Sequence, residues 1–186
     1  MHPRLSTLHE IEDALWRELG RATTDRHHAW RTAVLATVSM RNGEPAAEAR
    51  NVVLREADAA GKQLVVYTDA RAAKTTQLRA HPLGSLVMWS SELGWQLRCR
   101  VRLTIEDTGL AVSSRWERLK LSPAAQDYLS PLPPGAPLGA TPAALSERAC
   151  FAVVTAQVEA VDWLELHREG HRRALFDAQG PRWIQP

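Results

Sequence analysis

The chain has 186 residues, 45% of them hydrophobic and 24% charged, which is enough to bury a sizeable core and unlike a disordered or fibrous chain. Lys plus Arg number 23 against 21 Asp plus Glu, a net charge of +2, so the average charge points to neither a polyanion nor a membrane surface as partner. No window nears the roughly 20 apolar residues of a membrane span, and Met1-His2-Pro3-Arg4 leads into a charged segment instead of an apolar signal core, so a cytoplasmic protein of one domain over 1–186 is expected.

Thr7 and Glu10 have capping-box spacing, and Leu8, Ile11, Leu15, Trp16 and Leu19 form a helical stripe expected to stop at Gly20. Ala33 to Val38 lies in a strand predicted from Thr32 to Met40, and Asn42-Gly43 is a strong hairpin signal. Its partner strand is expected from about Ala46 to Leu54, with a third from Gln63 to Thr68. A short helix over Arg71 to Ala80 precedes His81-Pro82, and a fourth strand follows over Ser85 to Trp89. In the fifth strand Leu97, Cys99, Val101, Leu103 and Ile105 alternate with Gln96, Arg98, Arg100, Arg102 and Thr104, giving one core face and one basic face.

A helix over Ser113 to Leu121 leads into Pro123 to Pro142, which holds six of the eleven prolines and should wrap irregularly over the surface. Strands are expected again over Phe151 to Val161 and Trp163 to Leu166, with a hairpin tip at Glu169-Gly170 and a return strand over His171 to Phe176. Short strands joined by tight turns argue for a mainly β, antiparallel barrel with flanking helices, and against a parallel doubly wound sheet. No G-x-G-x-x-G run or phosphate-binding P-loop is present.

Cys99 and Cys150 are read as two buried thiols, too few for a disulfide framework. No metal site is expected: His167 and His171 flank Gly170 in a hairpin, and H-E-x-x-H is absent. A G-x-S-x-G nucleophile elbow is also missing. What remains is a set of polar and basic residues at strand positions, Arg50 and Arg55 around Asn51, Val52, Val53 and Leu54, then Thr68, Lys74 and Gln96. Arg50 sits in a buried β run and Lys74 in the first turn of the short helix, which suits an anion cradle for a phosphomonoester.

The order Arg50-Asn51-Val52-Val53-Leu54-Arg55, Val66-Tyr67-Thr68-Asp69, Lys74, His81-Pro82, Trp89 and Trp95-Gln96-Leu97, with Trp163, His171, Arg173 and Trp183 in the tail, resembles the pyridoxamine 5'-phosphate oxidase family. The resemblance implies an FMN-binding antiparallel split β-barrel and a homodimer with FMN at the subunit interface. It implies that Arg50 and Lys74 bind the ribityl phosphate, that Asn51, Val52, Val53, Leu54, Tyr67 and Thr68 line the cofactor, and that Gln96 bonds the flavin ring. Trp163 and Arg173 would reach the flavin from the partner chain, and Arg55 and His171 would face a small-molecule substrate.

Two departures stand out. Ala72-Ala73 precede Lys74 where the family oxidase has Ser-Arg, with Arg71 the candidate replacement, and Glu169 stands where that oxidase has a substrate-binding arginine. Efficient oxidation of a vitamer phosphate is therefore not expected. The leading reading is an FMN-dependent oxidoreductase of unidentified substrate, with a non-enzymatic flavin or haem carrier or sensor on the same barrel as the alternative. Arg98, Arg100 and Arg102 with Trp89 and Trp95 are the feature a nucleic-acid reading would need; no nucleic-acid or membrane partner is expected.

Overall fold

Alternating apolar residues decide the sheet, and its strands follow the sequence pattern closely. The computed structural model describes residues 4–141 and 150–186. The strands are β1 (Thr32–Arg41), β2 (Glu44–Asp58), β3 (Gln63–Asp69), β4 (Leu83–Ser90), β5 (Trp95–Glu106), β6 (Phe151–Glu165), β7 (Arg172–Phe176) and β8 (Arg182–Ile184), with helices α1 (Leu8–Thr24), α2 (Ala73–Ala80) and α3 (Leu110–Leu119). They pair antiparallel in the order β3-β2-β1-β4-β5-β6-β7-β8. β3 also pairs with β6, from Gln63 opposite Gln157 to Asp69 opposite Phe151. That second pairing closes six strands into a ring and leaves β7 and β8 outside it, the antiparallel barrel that the strand pattern suggested and of the split type that the resemblance implied.

Asn42 (φ 54°) and Gly43 (φ 85°) make the β1–β2 turn in the left-handed conformation that such residues favour. The ring interior is filled by Leu35, Leu54, Leu64, Leu86, Met88, Leu97, Cys99 and Val154, all essentially buried. Burial pushes the Cys99 thiol up to about 12, so it behaves as a core hydrophobe. Cys150 is only half-buried, which corrects the expectation of two buried thiols. α1 buries Ile11, Leu15, Trp16 and Leu19 against the same core. α3 packs Val112 and Leu119 on Val65, Phe151 and Val153, which belong to β3 and β6.

Several elements differ from expectation, among them β2, which runs on to Asp58, and α3, which begins at Leu110 and ends at Leu119. α1 runs through Gly20 to Thr24, because an isolated glycine costs a helix only about 1 kcal/mol. The segments Phe151 to Val161 and Trp163 to Leu166 are one strand: Asp162 interrupts the apolar run without breaking it, since its carboxylate takes Arg98 and Arg173. β8 was not anticipated. The proline-rich stretch is irregular apart from one 3-10 segment, Pro123–Tyr128, and its end at Pro142 lies outside the described residues.

β4 crosses the barrel wall tightly at Gly84, where an added Cβ would stand 2.7 Å from the Ala36 carbonyl oxygen and 2.9 Å from Leu103 Cδ1. Backbone on one side and core on the other leave no room to yield. Gly84→Ala should therefore lower stability by about 1–3 kcal/mol, as overpacking does, measured by urea denaturation. An unchanged midpoint would show that the wall can spread there.

Candidate functional site

The residues read as an anion cradle lie where β2, β3 and α2 meet. Arg50 pairs in register with Leu35, and its guanidinium donates to the Leu35 carbonyl at 3.4 Å, to Gln77 Oε1 at 2.9 Å and, in a short contact, to Thr37 Oγ1. Lys74 Nζ donates to Thr68 Oγ1 at 3.0 Å. Neither cation makes an ion pair among the described residues. Burial lowers the pKa of both, and the Arg50 charge lowers Lys74 further. Glu48 and Asp69 offset this only at longer range, and two partly desolvated like charges without a direct ion pair are unfavourable alone and favourable around a dianion.

Beside the cradle lies a cavity of about 200 Å3 lined by Thr32, Asn51, Val52, Val53, Arg55, Tyr67, Lys74, Asp127 and Tyr128. Val52 and Leu54 point into the core at 7% and 0% exposure, so what they can offer a ligand is chiefly backbone. Gln96 and Arg173 lie elsewhere, on the outer face, where Gln96 pairs with Leu164 and Leu164 with Arg173. β1 and β4 separate β2 from β5, about 14 Å at normal strand spacing. Arg173 is held by Asp162 at 2.7 and 2.9 Å. Burial alone would raise the Asp162 pKa, but the hydrogen bonds from Arg173 and Arg98 outweigh it and keep the carboxyl ionised.

Trp163 requires a correction. It shares the inward face with Leu97 and Ala174, is 0% exposed, and packs 5.4 Å from Trp95 and 6.3 Å from Trp183 between ring centroids. Strand parity thus keeps its indole from any partner surface, and Leu164 and Arg173 face outward instead. Arg71 is also not free to replace the missing arginine, because it grips Asp69 at 2.7 and 3.0 Å and the Ser130 carbonyl at 2.9 Å. His171 is exposed at the β6–β7 tip, where its Nδ1 accepts from the His167 N–H.

Gln77 and Thr37 escaped the sequence reading although both touch Arg50; Gln77 could have been found, since it follows Lys74 by one helical turn. Asp127 and Tyr128 were missed because the proline-rich stretch carries no periodic signal. A larger cavity of about 500 Å3 between α1 and the β4–β5 turn is lined by Arg17, Glu18, Arg21, His28 and Trp95. Within it Glu18 is bonded to both Arg21 and His28 at 3.0 Å. Among the described residues no helix is long and apolar enough to cross a membrane.

Residues 13–107 match the family described as pyridoxamine 5'-phosphate oxidase, FMN-binding domain, which spans just over half of the chain. The protein belongs to that family. Its structure is similar to a pyridoxamine 5'-phosphate oxidase-related, FMN-binding protein from Nostoc punctiforme PCC 73102, with TM-score 0.71 and 26% identity over 94% of this chain and 96% of that one. PhzG from Burkholderia lata 383, solved with tetrahydrophenazine-1-carboxylic acid, shares the fold with TM-score 0.75 and 14% identity over 99% and 98%. A haem-binding protein from Mycobacterium smegmatis shares it more distantly, with TM-score 0.52 and 17% identity over 87% of this chain and 58% of that one. No curated protein matches the sequence.

The cradle generates a direct test. Arg50→Ala and Lys74→Ala should each weaken FMN binding by about 1.5–3 kcal/mol while leaving riboflavin, which has no phosphate, nearly unchanged. The preference for FMN over riboflavin should fall as pH drops below about 6, where a phosphate monoester takes its second proton. It should fall again on the alkaline side, and below the ordinary lysine range, because the depressed Lys74 loses its charge early. Calorimetric titration of both ligands across pH measures this, and equal losses for FMN and riboflavin would assign the two residues to folding.

Proposed function

We propose that the protein binds FMN in a site completed by a second copy of the chain, and acts as a flavin-dependent oxidoreductase on a small molecule. The observation that carries this reading is the Arg50–Lys74 pair, two neighbouring cations whose hydrogen-bond partners among the described residues are hydroxyl, amide and carbonyl oxygens and not carboxylates. Arg50 and Lys74 would hold the ribityl phosphate, with Asn51, Val53, Tyr67 and Thr68 along the cofactor and the Gln96 amide available to ring N and O atoms. FMN supplies hydride acceptance, so the chain needs to position a substrate more than to provide a nucleophile. Arg55, on the cavity wall, and His171, at the β6–β7 tip, are the substrate-facing candidates.

Completion by a second chain rests on two observations. The cavity of about 200 Å3 is smaller than the roughly 300–1,000 Å3 of ordinary cofactor pockets. The outer face of β1 also leaves Val34, Val38 and Met40 at 38%, 37% and 52% exposure, with Trp89 of β4 at 45%, an apolar surface suited to a two-fold contact. A flavin spectrum of the purified protein tests cofactor binding. Val38→Asp should convert a dimer into monomers by light scattering and release FMN with them; a monomer that holds FMN stoichiometrically would overturn the two-chain site.

The substrate is not expected to be a vitamer phosphate. Glu169 is exposed at the β6–β7 tip, and a carboxylate there repels a phosphate that an arginine would pair with. Oxygen consumption with pyridoxamine 5'-phosphate should be slow and partly rescued in Glu169→Arg. Rapid turnover by the unmodified protein would refute this.

A further inference from the structure

The register between β2 and β3 slips at one residue: Leu54 pairs with Val66 and Glu56 with Val65, so Arg55 is the extra residue of a β-bulge. Bulges re-aim side chains and recur beside functional sites. The Arg55 guanidinium carbon lies 5.6 Å from the centre of the Tyr67 ring, and its buried Nε–H has no acceptor among the described residues. Tyr67 Oη donates to Glu56 Oε1 at 2.9 Å. Glu56 in turn receives both prongs of Arg115, 2.8 Å to Oε1 and 2.7 Å to Oε2. A continuous chain of contacts thus runs from α3 to the cavity that Arg55, Tyr67 and Lys74 line.

Each link favours the next. The Arg115 hydrogen bonds hold the Glu56 pKa below the usual carboxylate range despite burial, and burial together with Glu56 pushes the Tyr67 phenol up to about 12. At neutral pH a carboxylate therefore always meets a protonated phenol. The ring so fixed presents its face to a guanidinium. A free arginine loses much rotamer freedom on binding a ligand; one already stacked loses less, and its unpartnered Nε–H gains an acceptor when a ligand arrives.

We infer that Glu56 and Arg115 are positioning residues of the cavity, which lock the Tyr67 ring as a platform and so hold Arg55 ready, with its Nε–H free, for an acceptor atom of a bound molecule. This rests on the reading of the cavity as the FMN site. The test is a fluorescence titration of the full-length apoprotein with FMN for Glu56→Gln, Tyr67→Phe and the double variant. Tyr67→Phe keeps the ring and cuts only the link to Glu56. Each single change should weaken FMN by about 3- to 10-fold, and the double variant should be no weaker than the worse single one, as for residues acting in series. Multiplied losses, or wild-type affinity in Glu56→Gln, overturn the inference.

Ultraviolet titration of the phenols adds a readout that needs no cofactor, since Tyr67 and Tyr128 are the two tyrosines of the chain. The transition absent in Tyr67→Phe should move to lower pH in Glu56→Gln. An unmoved transition removes the link. A wild-type protein that binds no FMN defeats the parent reading, whereas normal wild-type binding with an unaffected Glu56→Gln defeats this inference alone.

Discussion

Closure of the ring by β3 against β6 is the constraint on which the other features depend. It fixes seven residue pairs between segments about ninety positions apart, a pairing whose loop-closure entropy is compensated only once the interior is filled. With the ring closed, β3 has a neighbour on each side, its inward residues Leu64 and Val66 are sealed, and Thr68 and Asp69 are buried at its end. Thr68 then meets Lys74, and Asp69 holds Arg71. The Thr68–Lys74 half of the cradle thus stands at the end of the strand that closes the ring, while the Arg50 half is set by β1 and α2.

Electrostatics divide the arginines by task. Arg71, Arg115, Arg172, Arg173 and Arg182 each hold a carboxylate at 2.7 to 2.8 Å; Arg115 ties α3 to β2, Arg172 and Arg173 tie β7 to β6, and the other two pairs are local. Arg50 and Arg55 are spent on no carboxylate, although both are partly buried. Partly buried cations without counter-ions are costly, and they persist where a ligand supplies the missing charge. Among the residues that line the cavity Asp127, which is exposed, is the carboxylate.

Much of the fold was legible because a β-strand with one wet face writes itself as alternation. β5 reads at sight, and Asn42-Gly43 announces its turn. That the sheet closes was legible in its short, hairpin-linked strands; which strands close it was not, since no local pattern says that β3 will find β6. Asp162 misled because a carboxylate in an apolar run looks like a break, whereas here it faces outward between two arginines. At the site, Arg50 and Lys74 could be singled out as cations in the wrong company, a buried run and a helix start. The direction of Trp163 could not, because Val161, Trp163 and Leu164 are all apolar and conceal strand parity. The roles of Glu56 and Arg115 need α3 folded back on the barrel before they exist.

β8 joins the core through four indoles in sequence. Trp30 lies 6.4 Å from Trp95, Trp95 lies 5.4 Å from Trp163, and Trp163 lies 6.3 Å from Trp183, between ring centroids. The first and third are fully enclosed, while Trp183 on β8 is 44% exposed. At such separations electronic excitation passes between rings faster than they emit. The ultraviolet emission of these four indoles, among the seven of the chain, is therefore a shared property of the series, and an event that lifts β8 from the barrel would shift that part of the emission.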